Sequence, residues 1–315
     1  FGANFYPSNK SKLPIYIQGT NFVRPIRYFE KKGSAQIKSC IMLAALNAPG
    51  TTKIKAKKSR NHTELLCKHL GLPISIKKNK NFDEIKISNV KKINTLNYNI
   101  PSDISSSAFF IALTILSKKS KLIIKNVNIN PTRIGMLTIL KKMGVSILLK
   151  NKRIYKGELI ADLNIKTPKV LKSINCPASF NSGAIDEFLV IFLIAAKANG
   201  ISYFKNLTEL NQKESPRLKW GSKILKKMGI KNIVTKDSIK IFGNPNLIIN
   251  KKIIIKDYLK DHRVFMTSVI AALSFGGIWN IHDKDSINTS FPNFLKIISK
   301  LKKWLSKEKI LLKLQ

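Results

Sequence analysis

The sequence predicts a layered α/β (α+β) protein of two domains, assembled from repeats of one βαβαββ unit. Three observations predict it. An amphipathic helix passes through a hydrophobic residue and a glycine into a strand several times, with a period of roughly 70–85 residues. A more apolar helix, followed by a small-residue turn and a strand, precedes each step. The 315 residues, 44% of them hydrophobic, supply about two cores at roughly 150 residues per domain.

The elements follow in order. Phe1-Gly2-Ala3-Asn4-Phe5 is the glycine step without its helix, so the chain opens inside a unit and an N-terminal portion is expected to be missing. Ser34 to Leu46 is the first apolar helix, ended by Asn47-Ala48-Pro49-Gly50. Leu65 to Leu70 is amphipathic and reaches Gly71 before the strand Leu72 to Ile76. The second unit repeats this with Ser105 to Leu116, the turn Ser117 to Ser120, then Leu137 to Met143, Gly144 and Val145 to Leu149. The third has Asp186 to Ala198, Asn199-Gly200, then Ile224 to Met228, Gly229 and Ile230 to Val234. Asp261 to Phe275 and Gly276-Gly277 begin a fourth. Gly71, Gly144 and Gly229 stand one past a helix, where positive φ is expected. A hinge near Pro101-Ser102-Asp103 divides a first domain, residues 1–100, from a second, residues 101–315, of three units.

Composition narrows the chemistry. The 57 Lys+Arg against 17 Asp+Glu give a formal charge of +40, which first suggests a nucleic-acid partner. Only seven are arginines: Arg24, Arg27, Arg60, Arg133, Arg153, Arg217 and Arg263. The lysines are spread along nearly every segment and track a composition rich in Ile and Asn, so they read as a solvated surface. Arginine marks places where a planar two-pronged donor is required. Cys40, Cys67 and Cys176 lie inside apolar runs, as buried thiols of a reducing compartment would. The longest charge-free stretch, Val264 to Ile281, contains Gly276-Gly277 and reads as a buried helix, turn and strand rather than a membrane span. The opening residues have neither a basic n-region nor an apolar h-region. The four histidines and three cysteines show no metal-ligand spacing, and no phosphate-binding glycine loop or nucleophile elbow occurs.

The apolar helices start at Ser34-Ala35-Gln36, Ser105-Ser106-Ser107, Asp186-Glu187 and Asp261-His262-Arg263. The amphipathic ones start near Arg60-Asn61-His62-Thr63-Glu64, Asn130-Pro131-Thr132-Arg133, Lys213-Glu214-Ser215-Pro216-Arg217 and Ser290-Phe291-Pro292. Four of the seven arginines thus fall at helix starts, where a cation opposes the helix dipole. Repeated units aim equivalent N-termini alike, so the expectation is a strongly anionic ligand, phosphate or carboxylate, bound between domains. Ser and Asp at these starts read equally well as N-caps. Asp186, ahead of a nearly uncharged helix, is either a cap or a general base.

These motifs, taken in order, resemble the 5-enolpyruvylshikimate-3-phosphate (EPSP) synthase family, the 3-phosphoshikimate 1-carboxyvinyltransferases. The matching segments are Gly33-Ser34-Ala35-Gln36-Ile37-Lys38-Ser39, Ser59-Arg60-Asn61-His62-Thr63-Glu64, Asn130-Pro131-Thr132-Arg133, Ile185-Asp186-Glu187, Lys213-Glu214-Ser215-Pro216-Arg217, Asp261-His262-Arg263 and Thr289-Ser290-Phe291-Pro292. The resemblance implies the two-domain enolpyruvyl transferase fold, an inside-out α/β barrel. It implies enolpyruvyl transfer from phosphoenolpyruvate to the 5-hydroxyl of shikimate 3-phosphate by addition and elimination, with release of phosphate and no metal or organic cofactor. By the same resemblance Ser34, Ala35, Gln36, Arg60, Asp186 and Lys213 hold shikimate 3-phosphate, Arg60 on its phosphate. Gln36, Arg217 and Arg263 hold phosphoenolpyruvate, while Asp186 and Glu214 move protons.

It further implies a cytoplasmic monomer whose partners are these small anions, with neither nucleic acid nor membrane. The family's opening Lys-Ser segment, its Asn-Ala-x-Thr loop and a Lys-Arg-Pro arginine lie upstream of Phe1, so the chain as given is expected to depend on them. Asn61 replaces the usual Asp, Pro216 an often-present Asp, and Thr289 stands where some members carry a phosphoenolpyruvate-binding Lys. Two other readings are a basic nucleic-acid-binding protein on this scaffold and a UDP-N-acetylglucosamine enolpyruvyl transferase. The Lys-Glu-Ser-x-x-Arg and Ser-Arg-x-His-Thr-Glu forms point to the shikimate branch instead.

Overall fold

A computed structural model describes residues 1–7, 13–302 and 311–314. Contacts divide the chain into two compact units. The first is Phe1–Ile100 with Ile154–Leu159, and the second is Pro101–Arg153 with Ile160–Gln315.

In the first unit, β1 (Asn4–Tyr6) and β2 (Tyr16–Gln18) form an antiparallel ribbon. One complete βαβαββ unit follows: β3 (Arg27–Glu30), α1 (Ala35–Ala45), β4 (Thr51–Lys57), α2 (His62–His69), β5 (Ile74–Lys78) and β6 (Phe82–Ser88). Its sheet order is β3-β4-β6-β5, with β3 parallel to β4 and the other pairs antiparallel. Strand alternation sends Ile54, Ala56, Ile85 and Ile87 inward beneath Ile41, Met42 and Ala45 of α1. Lysines take the opposite positions of β4. Cys67 is buried, but Cys40 is exposed, which corrects the expectation of three buried thiols. The apolar run around Cys40 is amphipathic at helical period. Lys38, Ile41, Met42 and Ala45 face inward, and Cys40 shares the outer face with Gln36 and Leu43.

The second unit holds three repeats. The first has α3 (Ile104–Leu116), β7 (Lys121–Asn128), α4 (Gly135–Lys142), β8 (Ile147–Tyr155) and β9 (Glu158–Lys166), in the sheet order β7-β9-β8, the turn end Ile154–Leu159 of β8 and β9 belonging to the first unit. Where a first strand is expected there is only an isolated bridge from Ser102 to Val127, because Pro101 and an asparagine-rich approach cannot sustain a ladder. The second repeat has β10 (Asn175–Cys176), α5 (Asn181–Ala184), α6 (Phe188–Ala196), β11 (Ile201–Phe204), α7 (Arg217–Met228), β12 (Asn232–Val234) and β13 (Ile239–Phe242). Its order, β10-β11-β13-β12, reproduces that of the first unit's sheet. The third has β14 (Lys252–Ile255), α8 (His262–Phe275), β15 (Ile278–Ile281), α9 (Phe294–Lys302) and β16 (Leu311–Leu314). Here the three strands are all parallel.

The apolar helices α3, α6 and α8 pack on one another at the centre of this unit. All nine residues of α6 are buried, as expected of a helix that is hydrophobic all round. Each of its seven Phe, Leu, Val and Ile side chains contributes about 1.5–3 kcal/mol on leaving water. Gly71, Gly144 and Gly229 adopt φ of 67°, 90° and 90°, as their places after a helix require. No single described helix is long and apolar enough to cross a membrane. The pair Ala178–Ala184 and Phe188–Ala196 passes that test together, but is bent by 120° and its second helix is core.

Candidate functional site

The 120° bend puts Ile185-Asp186-Glu187 at a corner just before α6. Gly135 makes the corner possible. A Cβ there would lie 2.6 Å from the Phe180 carbonyl oxygen and 2.7 Å from Gly183 C, so α4 touches the backbone of the bend.

Around Asp186 the second unit gathers four cations. Arg133 Nη1 lies 3.4 Å from Oδ2, Arg217 Nη1 3.4 Å from Oδ1, and Lys213 Nζ 3.6 Å from Oδ1. Arg263 Nη1 donates to the Asp186 main-chain oxygen at 2.9 Å. The sequence-selected residues Asp186, Lys213, Glu214, Arg217 and Arg263 therefore share one cluster. Arg217 is the most enclosed, with 1% of its side chain exposed. Its Nε and Nη2 donate to Asp261 Oδ2 and Oδ1 at 2.8 and 3.2 Å, the planar two-pronged geometry that lysine cannot supply. Ser215 Oγ adds a bond of 2.7 Å to the same carboxylate. Glu214, half-exposed, covers the outer edge of Arg217 at 2.5 Å.

The electrostatics follow from these pairings. Burial pushes the Asp261 carboxyl up. Hydrogen bonds and charge from Arg217, with Ser215 and the Arg263 N–H, outweigh it and hold the group below its ordinary range. Burial likewise raises Asp103, but the Ser106 N–H and hydroxyl and the Arg133 charge prevail and lower it. Burial, reinforced by Arg263, lowers His262, so its imidazole is biased to the neutral form. Glu187 is driven the other way: burial raises it against Arg263, Arg133 and Ser105.

The first unit carries a second group. Ser34 caps α1, its Oγ accepting from the Ile37 N–H at 3.3 Å. Ala35 and Gln36 open that helix, with Gln36 exposed. Arg60 immediately precedes the α2 cap Asn61, and its carbonyl accepts from Lys38 Nζ at 2.9 Å. Lys38 also pairs with Glu64 at 2.5 Å, both nearly fully buried, and Ser39 Oγ lies 2.6 Å from Thr63 Oγ1. His62 Nδ1 lies 2.5 Å from Glu158 Oε1.

Several members of these clusters have no role assigned from the sequence, although all but Asp103 lie in the helix starts or motif segments singled out there: Asp103, Ser105, Arg133, Glu187, Ser215 and Asp261 beside Asp186, and Lys38 and Glu64 beside Arg60. Arg133 carried a usable signal, since it occupies the same place in its repeat as Arg60 and Arg217. Glu187 carried none, because a carboxylate at a helix start reads as a cap. No group of three or more His, Cys, Asp or Glu side chains among the described residues is arranged to hold a metal ion.

Repeats of this topology around buried helices, with an arginine–carboxylate cluster at their starts, define an enolpyruvyl transferase fold. The enolpyruvyl transferase NikO from Streptomyces tendae shares the architecture at 14% identity, with a TM-score of 0.69 over 96% of this chain and 69% of that one. The family itself is fixed more tightly. The EPSP synthase (3-phosphoshikimate 1-carboxyvinyltransferase) family matches residues 1–298, and the chain belongs to it. It is 40% identical over 295 residues to the 3-phosphoshikimate 1-carboxyvinyltransferase of Ruthia magnifica, and 39% identical over 295 residues to that of Vesicomyosocius okutanii. In both cases 93% of this chain and 66% of the relative are covered, so the chain spans just under two thirds of their length. The EPSP synthase of Acinetobacter baumannii matches with a TM-score of 0.82 at 34% identity, over 95% of this chain and 67% of that one.

Proposed function

We propose that the protein to which this chain belongs transfers the enolpyruvyl group of phosphoenolpyruvate to the 5-hydroxyl of shikimate 3-phosphate and releases phosphate. The observation that carries the reading is Asp186, a carboxylate held within 3.6 Å of three separate cations at a helix corner. Asp186 accepts the proton of the attacking hydroxyl, and the oxygen then bonds to the enol carbon. Glu214 exchanges protons with the adjacent methylene, which is protonated on addition and deprotonated as the phosphate leaves. Arg217 and Arg263 hold the carboxylate and phosphate of phosphoenolpyruvate and stabilise charge developing on the enolpyruvyl group. Lys213 steadies shikimate 3-phosphate.

In the first unit Ser34, Ala35, Gln36 and Arg60 bind shikimate 3-phosphate, Arg60 on the phosphate, and Gln36 serves both ligands. We place the protein in the cytoplasm, a reading supported by three free cysteines, and read it as a monomer from the family resemblance.

The test is phosphate release from the two substrates by the product of the whole reading frame, with Asp186→Ala as the critical variant. The expected result is a loss of at least about a hundredfold in kcat, the scale of general base catalysis. An active protein whose rate is unchanged by Asp186→Ala refutes the assignment.

A further inference from the structure

Glu187 is a burial without an evident structural reward. It stands at the start of α6 with 2% exposure, yet its side chain makes no cap hydrogen bond, so the usual reason for a carboxylate at a helix start does not apply. Its Oε2 is buried with no hydrogen-bond partner. Such an orphaned oxygen destabilises the fold relative to an apolar residue of similar size. Its other oxygen accepts a short hydrogen bond from Ser105 Oγ on α3. Ser105 Oγ in turn accepts from Arg133 Nη2 at 2.5 Å. Arg133 Nη1 faces Asp186 Oδ2 at 3.4 Å, and Nη2 faces Asp103 Oδ1 at 3.4 Å. A continuous relay therefore runs from Glu187 through Ser105 and Arg133 to the carboxylate of Asp186.

We propose that Glu187 is a positioning residue for the reaction: by holding Ser105 it draws Arg133 aside and keeps that guanidinium from closing on Asp186. The proposal rests on the reading of Asp186 as the base. A guanidinium in tight two-pronged contact would make Asp186 a weaker base, since a neighbouring cation lowers a carboxylate by 1–3 units. At 3.4 Å, longer than a charge-assisted bond of about 2.8 Å, Arg133 orients Asp186 while leaving it able to take a proton. The groups facing Glu187 are Ser105 on α3, Arg133 ahead of α4, Arg263 on α8 and its own neighbour Asp186.

The experiment compares Glu187→Ala, Glu187→Gln and Ser105→Ala in the whole protein, reading kcat/KM against pH with KM and kcat separated. Glu187→Ala and Ser105→Ala both break the relay. Each is expected to move the acidic limb down by about one pH unit and lower the plateau kcat about tenfold, with KM for phosphoenolpyruvate within about twofold. Glu187→Gln keeps an acceptor for Ser105 and is expected to restore the limb. A limb that stays in place in the two broken-relay variants, or Glu187→Gln behaving as Glu187→Ala, overturns the proposal.

Carbon-detected titration of the Asp186 carboxyl without substrate supplies a readout independent of turnover. Loss of the neighbouring carboxylate by itself lowers Asp186, so the deciding variants are Ser105→Ala, which changes no charge, and Glu187→Gln, which keeps the acceptor. A downward shift in Ser105→Ala that Glu187→Gln lacks supports the relay even in a protein without this activity. No shift in Ser105→Ala, or an equal shift in Glu187→Gln and Glu187→Ala, overturns it. An inactive wild type would refute the functional reading alone.

Discussion

Lys38 on α1 gives the sharpest test of how the first unit holds Arg60. Its ammonium is 2.5 Å from Glu64 Oε1 and 2.9 Å from the Arg60 carbonyl, with the Lys38 and Glu64 side chains 1% and 4% exposed. Lys38→Met keeps the unbranched stem, shorter by one atom, and removes the charge, which leaves Glu64 buried without its cation. Breaking a buried pair on one side costs about 3–5 kcal/mol. Loss of the Lys38 hydrogen bond to the Arg60 carbonyl adds roughly 1 kcal/mol, part of which the methionine's packing offsets. Replacing both partners, Lys38→Met with Glu64→Leu, removes the unpaired charge and is expected to fall within about 2 kcal/mol of wild type.

The assay has to see the first unit by itself. All three tryptophans, Trp220, Trp279 and Trp304, fall in the second unit's range, so indole fluorescence reports the wrong half. Hydrogen exchange at the β4 amides in mild urea reads the first unit's opening free energy directly. A single variant costing less than about 1 kcal/mol, or a double variant as unstable as the single one, would refute the account of Lys38 as an ion-paired anchor. Under the proposed function, the corollary is that Lys38→Met raises KM for shikimate 3-phosphate more than it lowers kcat, since Lys38 reaches Arg60 at its main-chain carbonyl.

Three further outcomes follow from the same geometry. Asp261→Asn removes the charge that fixes Arg217; it is expected to cost about 2–4 kcal/mol at neutral pH, read by urea denaturation, and, in the proposed reaction, to lower kcat/KM for phosphoenolpyruvate at least tenfold. Because the folded-state carboxyls of Asp261 and Asp103 lie below the usual 3.8, their stabilisation is present above about pH 4 and is lost as pH falls through the folded values. The wild-type advantage over Asp261→Asn should therefore shrink below pH 4 and stay constant above it. Gly135→Ala puts a methyl 2.6 Å from a carbonyl oxygen and should cost about 1–3 kcal/mol by thermal melting, with a fall in kcat because the Asp186 corner moves. A thiol reagent at neutral pH should label one cysteine, Cys40. Cys67 is buried, and Cys176 is both buried and pushed up to about 11 by burial, so these two react only on unfolding.

Most of the fold was legible because it depends on local signals that repeat. Helix period, a glycine at positive φ and a following strand each have a physical cause within a dozen residues, and repetition multiplies their weight. The strand expected before α3 was not, since Pro101 leaves only the Ser102 bridge. Cys40 was misplaced because an apolar run shows how much is buried, but only the phase of the helix shows which side. At the site, Asp186, Lys213, Glu214, Arg217 and Arg263 were legible as motif residues, and the structure brings them together. Ser105 and Glu187 were hidden for a different reason. They lie 82 residues apart and meet only because α3 packs on α6, a contact with no local trace in the chain.

The repeat also explains why the charge balance at the site differs from that of the whole chain. Each repeat of the second unit starts its apolar helix with an acid: Asp103, then Asp186-Glu187, then Asp261. The first two repeats also place an arginine at the start of the amphipathic helix, Arg133 just ahead of α4 and Arg217 as the first residue of α7. Packing consecutive repeats side by side sets each arginine between the acid of its own repeat and that of the next. Arg133 faces Asp103 and Asp186, and Arg217 faces Asp186 and Asp261. The result is an alternating line, Asp103–Arg133–Asp186–Arg217–Asp261, in which every cation has a fixed direction. Acids are scarce here, 17 in 315 residues, and five of them, the three aspartates of this line with Glu187 and Glu214, gather at this one place. The surplus of lysine elsewhere gives the molecule a field that draws anions from any direction and discriminates little among them. Discrimination belongs to the alternating line, where the proposed anionic substrates must compete with built-in carboxylates for directed guanidinium donors.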